Sequence, residues 1–376
     1  MPGVADTAHP NAPPPGVVLP PPREESLSVF RRRWRKFRTL KRGWWSFLLI
    51  LGLYAVSLLN PLLINNRALA VRCKGEWSFP AVAEWTAGRL YPAKKFGQRI
   101  IGEADYRKLK EQFETAAAGD LVVLAPYPFH PNESLLDAPD LQGPPPHAPR
   151  GAHWMGTDDR GRDVFARLAY GFRISITFAL IVVLLDFGMG ITAGSLVGFF
   201  GGRVDFYGQR LIEIWAGMPF LYTVIIVTSA LKPGLLFLAN LLALFGWVGI
   251  SFYMRGEFYR EKAKDYVAAA IAQGESRWSI MFSHILPNAL TPIISFAPFA
   301  IVGSITALVS LDFLGFGLTP PTPSWGELVN QGRQNIQAWH LVTFPLAALF
   351  CTLLLVVFIG EAVREAFDPK VYSRLR

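Results

Sequence analysis

Apolar residues in this chain gather in long, nearly unbroken runs. They do not form the spaced stripes of a soluble helix or the alternation of a half-buried strand. Six runs stand out: WWSFLLILGLYAVSLLNPLLI (44–64), ISITFALIVVLLDFGMGITAGSLVGFF (174–200), LIEIWAGMPFLYTVIIVTSAL (211–231), GLLFLANLLALFGWVGISFYM (234–254), ALTPIISFAPFAIVGSITALVSL (289–311) and LVTFPLAALFCTLLLVVFIG (341–360). A helix needs about 20 such residues to cross the hydrocarbon of a bilayer. The pattern therefore predicts an all-α integral membrane protein with six transmembrane helices. Pro219, Pro292, Pro298 and Pro345 fall inside runs, and neighbouring helices can re-satisfy the backbone groups that prolines free.

The polar stretches set the remaining organisation. Residues 1–24 are proline-rich and are expected to be disordered. With the basic stretch that follows they form a tail over 1–43. Residues 65–172 hold no apolar span, mix both charge signs and end in GPPPHAPRGAHWMG. They predict a soluble domain, of mixed structure over AEWTAGRLYPAKKFGQRIIGEADYRKLKEQFETAAAG, and an interfacial segment inserted between the first and second spans. Tyr106, Leu109 and Phe113 have helical spacing there, which predicts a helix near 104–118. A membrane core over 173–362, with a loop at 255–288, and a short tail over 363–376 complete the chain.

Charge fixes the orientation. The 376 residues are 51% hydrophobic and 17% charged, with a net charge of +9. Soluble domains carry about 25% charged residues, so the deficit agrees with the apolar runs. RRRWRKFRTLKR (31–42) directly precedes the first run. Basic residues against a span mark its cytoplasmic end, and a nucleic-acid arm is disfavoured because no linker separates the two. Segments 1–43, 201–210, 255–288 and 361–376 all place Lys or Arg beside a span and are assigned to the inside. Segments 65–172, 232–233 and 312–340 then lie outside, and both termini are cytoplasmic. The first run begins too far along the chain for a signal peptide and is expected to be a retained helix. Trp44, Trp45, Trp325 and Trp339 fall near expected membrane interfaces. Cys73 and Cys351 are the only cysteines; no disulfide and no metal site is expected.

The stretch DYVAAAIAQGESRWSIMFSHILPN (265–288) is too polar for a membrane core. DYVAAAIAQ has high helix propensity, Asp265 suits a cap or first-turn carboxylate, and Gly274 can end the helix in a left-handed conformation. A second amphipathic turn follows, up to Pro287. Ala268, Ala269 and Ala270 give the first helix a thin face suited to a groove on a partner. An ordinary solvated loop is the plainer reading of the spacing alone.

Ala269-Ala270, Gly274 and Leu286-Pro287 match the spacing of the permease signature of bacterial ABC importers. The signature's leading Glu is Ala268 here, a departure that leaves the geometry intact, and its Ile is His284. GTDDRGRDVFARLAYGFRISI (156–176), GFFGGRVDFYGQR (198–210), SLDFLGFGLTPPTPSWGELV (310–329) and FIGEAVREAFDPK (358–370) resemble, in order, segments of the dipeptide/oligopeptide/nickel permease family. The inserted region, with VLAPYPF and SLDFLGFG, looks closest to the E-type inner-membrane subunit of the microcin C/peptide permease subgroup.

That resemblance implies a type I ABC importer permease of the bacterial inner membrane. Residues Asp265, Tyr266, Ala268, Ala269, Ala270, Gly274, Leu286 and Pro287 would belong to the helix that couples the permease to a separate ABC ATPase subunit. A homologous second permease subunit and a periplasmic substrate-binding protein would be the other partners, with a peptide as substrate, lipid around the spans and no nucleic acid. ATP and Mg2+ would be used by the ATPase; this chain has no GxxxxGK[ST] phosphate loop and is expected to bind no cofactor and catalyse no reaction.

Single residues carry less specific signals. Asp186 lies mid-span, where a carboxylate is costly and should face the bundle or a cavity; a translocation-pathway contact competes with a helix–helix hydrogen bond. Asp158 and Arg162 are candidates for organising the outer gate, and Asp312 for capping the fifth span there. Glu361, Arg364 and Asp368 are expected in ion pairs at the cytoplasmic edge. A stand-alone channel or secondary transporter would need more ionisable residues within spans. A membrane enzyme would need a polar cluster, yet His153, His284 and His340 occur singly, with no HExxH or GxSxG.

Overall fold

The apolar runs fold into helices whose ends are set by caps and prolines more than by where the apolar residues stop. The protein is seen here as a computed structural model that describes residues 29–116, 119–136, 138, 141 and 143–367. The Pro-rich stretch 1–24 and Asp368 lie outside the described residues. Helices α1 (Val29–Thr39), α2 (Lys41–Leu58) and α3 (Asn60–Leu63) open the chain. Strands β1 (Ala68–Cys73) and β2 (Glu76–Ser78), helices α4 (Pro80–Ala87) and α5 (Tyr106–Ala116), and strand β3 (Leu121–Leu124) follow. The apolar part comprises α6 (Val164–Phe200), α7 (Gly202–Ala216), α8 (Phe220–Ala230) and α9 (Leu235–Lys262). Then come α10 (Asp265–Ala272), α11 (Arg277–Ser279), a π-helical stretch Ile280–Ile285, α12 (Leu286–Ile294), α13 (Ala297–Leu314), α14 (Trp325–Gln334) and α15 (His340–Phe367).

Four of these, α6, α9, α13 and α15, are each long and apolar enough to cross a membrane. A fifth span results if α7 and α8, bent by 66°, are taken together. Two physical causes separate this from the six expected. Helix α2, where the first span was expected, starts with Lys41 and Arg42 and stops at Leu58, because Asn60-Pro61 begins a new turn. The third expected span breaks at Gly217–Pro219: Pro219 has extended backbone and precedes α8, so no helical bond crosses the gap. Likewise α12 and α13 part at Ser295–Phe296, just before Pro298, whereas Pro292 and Pro345 stay within their helices.

The all-α expectation also needs correcting. Residues 68–124 contain a three-stranded antiparallel sheet of order β2-β1-β3. ALAVRC and LVVL are short and rich in small and branched apolar residues, and Val71 pairs with both Ser78 and Val122. The expected helix near 104–118 is α5, with Tyr106 and Leu109 buried against the sheet.

The core of the apolar part is the pair α6 and α9. Gly190, Gly194 and Gly198 recur every fourth residue on α6. A Cβ added to them would lie 2.7 Å from Trp247 O, 2.4 Å from Ser251 O and 2.9 Å from Arg255 O. Small residues at this spacing let two backbones approach closely inside a membrane, where no hydrophobic force draws helices together. Phe178, Val182, Leu238, Leu242, Leu308 and Leu311 add α13 to one end of this pair. At the other end Phe199, Met254 and Phe258 receive Ile280, Met281 and Ile285.

Candidate functional site

The segment after α9 is built outward from one buried carboxylate. Glu261, 3% exposed, accepts from Lys264 Nζ at 2.7 and 2.8 Å and from Tyr266 Oη at 2.9 Å. Burial, then the Glu261 hydrogen bond, push the Tyr266 hydroxyl up to about 12, so it donates at any physiological pH. Lys264 is the extended residue before α10 and Asp265 the acid of its first turn, where the helix dipole favours a carboxylate. Val267 and Ala270 turn inward, while Ala268, Ala269, Ile271 and Ala272 are exposed. The thin face is therefore Ala268-Ala269 with Ala272; the helical turn carries Ala270 into the core.

Gly274, at φ +79°, closes α10. Its N–H donates to Ile271 O at 3.0 Å and that of Glu275 to Ala270 O at 3.2 Å, the two-bond closure that a left-handed residue permits. Ser276 then caps the next turn by accepting from Ser279 N at 3.2 Å. Glu275 Oε2 accepts from Ser279 Oγ at 2.7 Å and lies 2.9 Å from His284 Nε2. Those two hydrogen bonds hold the Glu275 carboxyl below the usual range. The π-helical stretch buries Ile280, Met281 and Ile285 and leaves Phe282 exposed, stacked at 5.9 Å on the exposed Trp278 of α11. Leu286 is half-buried and Pro287 exposed at the start of α12. The result is a hairpin whose turns are closed by its own hydrogen bonds and which presents a small, apolar outer face.

A second site lies at the opposite end of α6. Asp163 caps α6, accepting from Ala166 N at 2.9 Å, from Tyr127 Oη at 2.8 Å and lying 2.9 Å from His153 Nδ1. Asp158, fully buried, accepts from the backbone of Arg160 and Arg162 and from Arg162 Nε at 2.6 Å. Burial opposes the Arg162 charge, but Asp158 and Glu327 outweigh it and hold the guanidinium above its ordinary value. Glu327 accepts from Arg162 Nη2 at 3.2 Å and from Arg167, whose side chain is completely buried. Ser324 caps α14 through Glu327 N at 3.2 Å and donates to Asp312 Oδ2 at 2.5 Å. Asp312 Oδ1 accepts from Leu318 N at 2.6 Å. Asp158 and Arg162, four residues apart, are thus joined with the distant Asp312 in one network through Ser324 and Glu327.

Glu327, Arg167, Asp163 and Ser324 were not singled out from the sequence. Ser324-x-x-Glu327 has the spacing of a helix-start signature and was a usable signal for α14. The arginine partners of Glu327 were not readable, because they lie more than a hundred residues away. Trp325, expected at a membrane interface, is instead buried: its Nε1 donates to Leu168 O at 3.0 Å and its ring packs on Gly171. Trp45 and Trp339 are exposed and Trp44 half-buried.

Asp186 sits at the α6–α9 contact, one turn before the glycine stripe. It lies over Gly246, where a Cβ would come 2.1 Å from its Oδ2, and its Oδ1 is buried with no hydrogen-bond partner among the described residues. Glu361 and Arg364 are exposed on the last turns of α15. Three of the six histidines, His153, His284 and His340, have separate partners: Asp163, Glu275 and Thr157 O respectively.

Residues 190–373 match the family model described as binding-protein-dependent transport system inner membrane component. The chain is 42% identical over 343 residues to the inner membrane ABC transporter permease protein YejE of Escherichia coli (strain K12), covering 91% of this chain and 97% of that protein. It is 38% identical over 374 residues to the peptidoglycan transport system permease protein YejE of Agrobacterium fabrum (strain C58 / ATCC 33970), covering 94% and 96%. It is 34% identical over 253 residues to the dipeptide transport system permease protein DppC of Bacillus subtilis (strain 168), covering 67% and 78%. The 265–287 hairpin and the apolar helices that carry it are thus parts of a transport subunit without catalytic chemistry of its own: this chain belongs to the inner-membrane permeases of binding-protein-dependent ABC importers.

Proposed function

We propose that this chain conducts peptides across the bacterial inner membrane, among them oligopeptides or microcin C-like peptide conjugates. It does so as one of two homologous permease subunits, and a periplasmic binding protein delivers the substrate. The reading has six spans, with α2 and the bent α7–α8 pair completing the set. Both termini are cytoplasmic and residues 65–172 are periplasmic. ATP and Mg2+ are handled by a separate ATPase, in whose groove α10 lies.

The observation that carries this reading is the α10 hairpin. Its backbone is closed, its anchor Glu261 is buried, and its outer face is small and apolar. Such a helix fits a groove and transmits rigid-body motion. Asp158, Arg162 and Asp312 serve as the outer gate, and Asp186 faces the translocation pathway when α6 and α9 shift. Relatives named for peptidoglycan and dipeptide transport support a peptide substrate.

The test uses the complex co-expressed with its ATPase and sister permease. In a Cys73→Ser/Cys351→Ser background, Ala269→Cys should cross-link to a cysteine in the ATPase groove. Gly274→Pro should leave basal ATP hydrolysis but abolish its stimulation by binding protein and the accompanying peptide uptake. Uptake by the isolated chain without any ATPase, or normal coupling in Gly274→Pro, would overturn the reading.

A further inference from the structure

Helix α1 has two chemically distinct sides. Phe37 is buried against Ala362 and Ala366 of α15. Arg33 Nη1 donates to Thr291 Oγ1 at 2.8 Å and Lys36 Nζ to Glu365 O at 3.0 Å. These contacts tie α1 to the middle of α12 and to the last turns of α15. At about 100° per residue, Arg32, Arg35 and Arg38 lie roughly 220°, 160° and 100° round from Phe37, and all three are exposed. Lys41 and Arg42 continue the exposed cations into the first turn of α2. No Asp or Glu occurs from 29 to 75.

We propose that this outer face of α1 binds the phosphate headgroups of anionic phospholipids and so holds α12 and the cytoplasmic end of α15 at the bilayer surface. The proposal rests on the cytoplasmic placement of α1 given above. Three features select a lipid surface over a protein groove. Only Leu40 separates α1 from the apolar helix α2, so the cations lie where headgroups begin. Trp34 and Trp45, 41% and 66% exposed, flank them as rings suited to the headgroup level. Clustered juxtamembrane cations attract anionic lipid within a Debye length of the surface.

The experiment places a fluorophore on Thr39→Cys, in the Cys73→Ser/Cys351→Ser background of the full chain. The protein is reconstituted with brominated phosphatidylglycerol or brominated phosphatidylcholine at equal mole fraction. Quenching should be stronger with phosphatidylglycerol. That preference should disappear in Arg32→Gln/Arg35→Gln/Arg38→Gln. It should also disappear in the unsubstituted helix at about 1 M salt, where the Debye length is about 3 Å; this arm needs no charge variant to fold. A probe at Phe350→Cys, on an exposed apolar face of α15, should show no preference. Equal quenching by both lipids at low salt overturns the proposal. So does a probe that neither lipid quenches and that the ATPase subunit shields, which would make α1 a protein-docking element. Lipid preference can fail while the Ala269→Cys cross-link succeeds, so the two readings fail separately.

Discussion

Replacing Glu327 with Gln should destabilise the protein by about 3 kcal/mol, because it leaves two guanidinium groups competing for one carboxylate. Arg162 and Arg167 have side chains only 5% and 0% exposed, and Glu327 itself is 16% exposed. In the native network two buried cations meet two acids, Asp158 and Glu327. Gln keeps the shape and an acceptor but removes the charge. Breaking a buried pair by removing one partner costs about 3–5 kcal/mol, and the residual exposure of Glu327 favours the low end. At about 1.4 kcal/mol per factor of ten, that is roughly a 150-fold shift in the unfolding equilibrium. The assay is urea unfolding in mixed micelles, followed by tryptophan fluorescence. A cycle with Arg167→Met separates the pair from its surroundings: once the buried cation is gone, Glu327→Gln should cost much less. A single-variant cost below about 1 kcal/mol, or energies that add to within about 0.5 kcal/mol, would show that the network does not hold α6 to α14.

Three further outcomes follow from other contacts. Gly194→Leu should prevent close packing of α6 on α9, since even a Cβ there meets Ser251 O at 2.4 Å, whereas a Cβ at Gly188 meets nothing within 4 Å and Gly188→Leu should be the milder change; overpacking costs about 1–3 kcal/mol, and comparable yields and melting of the two variants would refute this. Ser324→Ala removes the cap of α14 and leaves Asp312 Oδ2 without its donor, a combined loss of about 2–4 kcal/mol measurable by the same urea titration; a loss below about 1 kcal/mol would deny Ser324 that double role. Burial, with the charge of Arg67, lowers His130 from 6.5 to about 4. The unfolded chain therefore binds the extra proton first as pH falls. Protection of residues 127–135 against hydrogen exchange should drop between pH 6.5 and 4, then level off; an identical drop in His130→Gln would assign it elsewhere.

The sequence was most legible where structure is local. The α10 hairpin needs only helix propensity, a first-turn acid and a left-handed glycine, and all three sit where the spacing placed them. The apolar runs marked the helices well in their middles and poorly at their ends. Helix α6 begins at Val164, ten residues before its apolar run, because Asp163 caps it and buried partners accommodate Arg167. Nothing in the local sequence reveals those partners. The break at Pro219 was not distinguishable from the tolerated Pro345: both lie in apolar runs, and the neighbouring helices decide which backbone groups stay bonded. Mixed structure was legible in the inserted domain but the places of its strands were not, since β2 and β3 are only three and four residues long and owe their pairing to β1. The Asp158–Glu327 network was visible as separate charges, but their meeting is a property of the fold.

Helix α6 is a single element of 37 residues. At about 1.5 Å per residue it is a rod roughly 55 Å long, with the charged network at one end and the floor of the α10 hairpin at the other. Its glycine face is pressed against α9, so the two helices resist bending as a double beam. A tilt of about 10° about one end would carry the other end roughly 10 Å sideways on that length. A small rotation at the hairpin thus has the leverage to part charged groups that sit within hydrogen-bonding distance, with no side chain between them needing to rearrange.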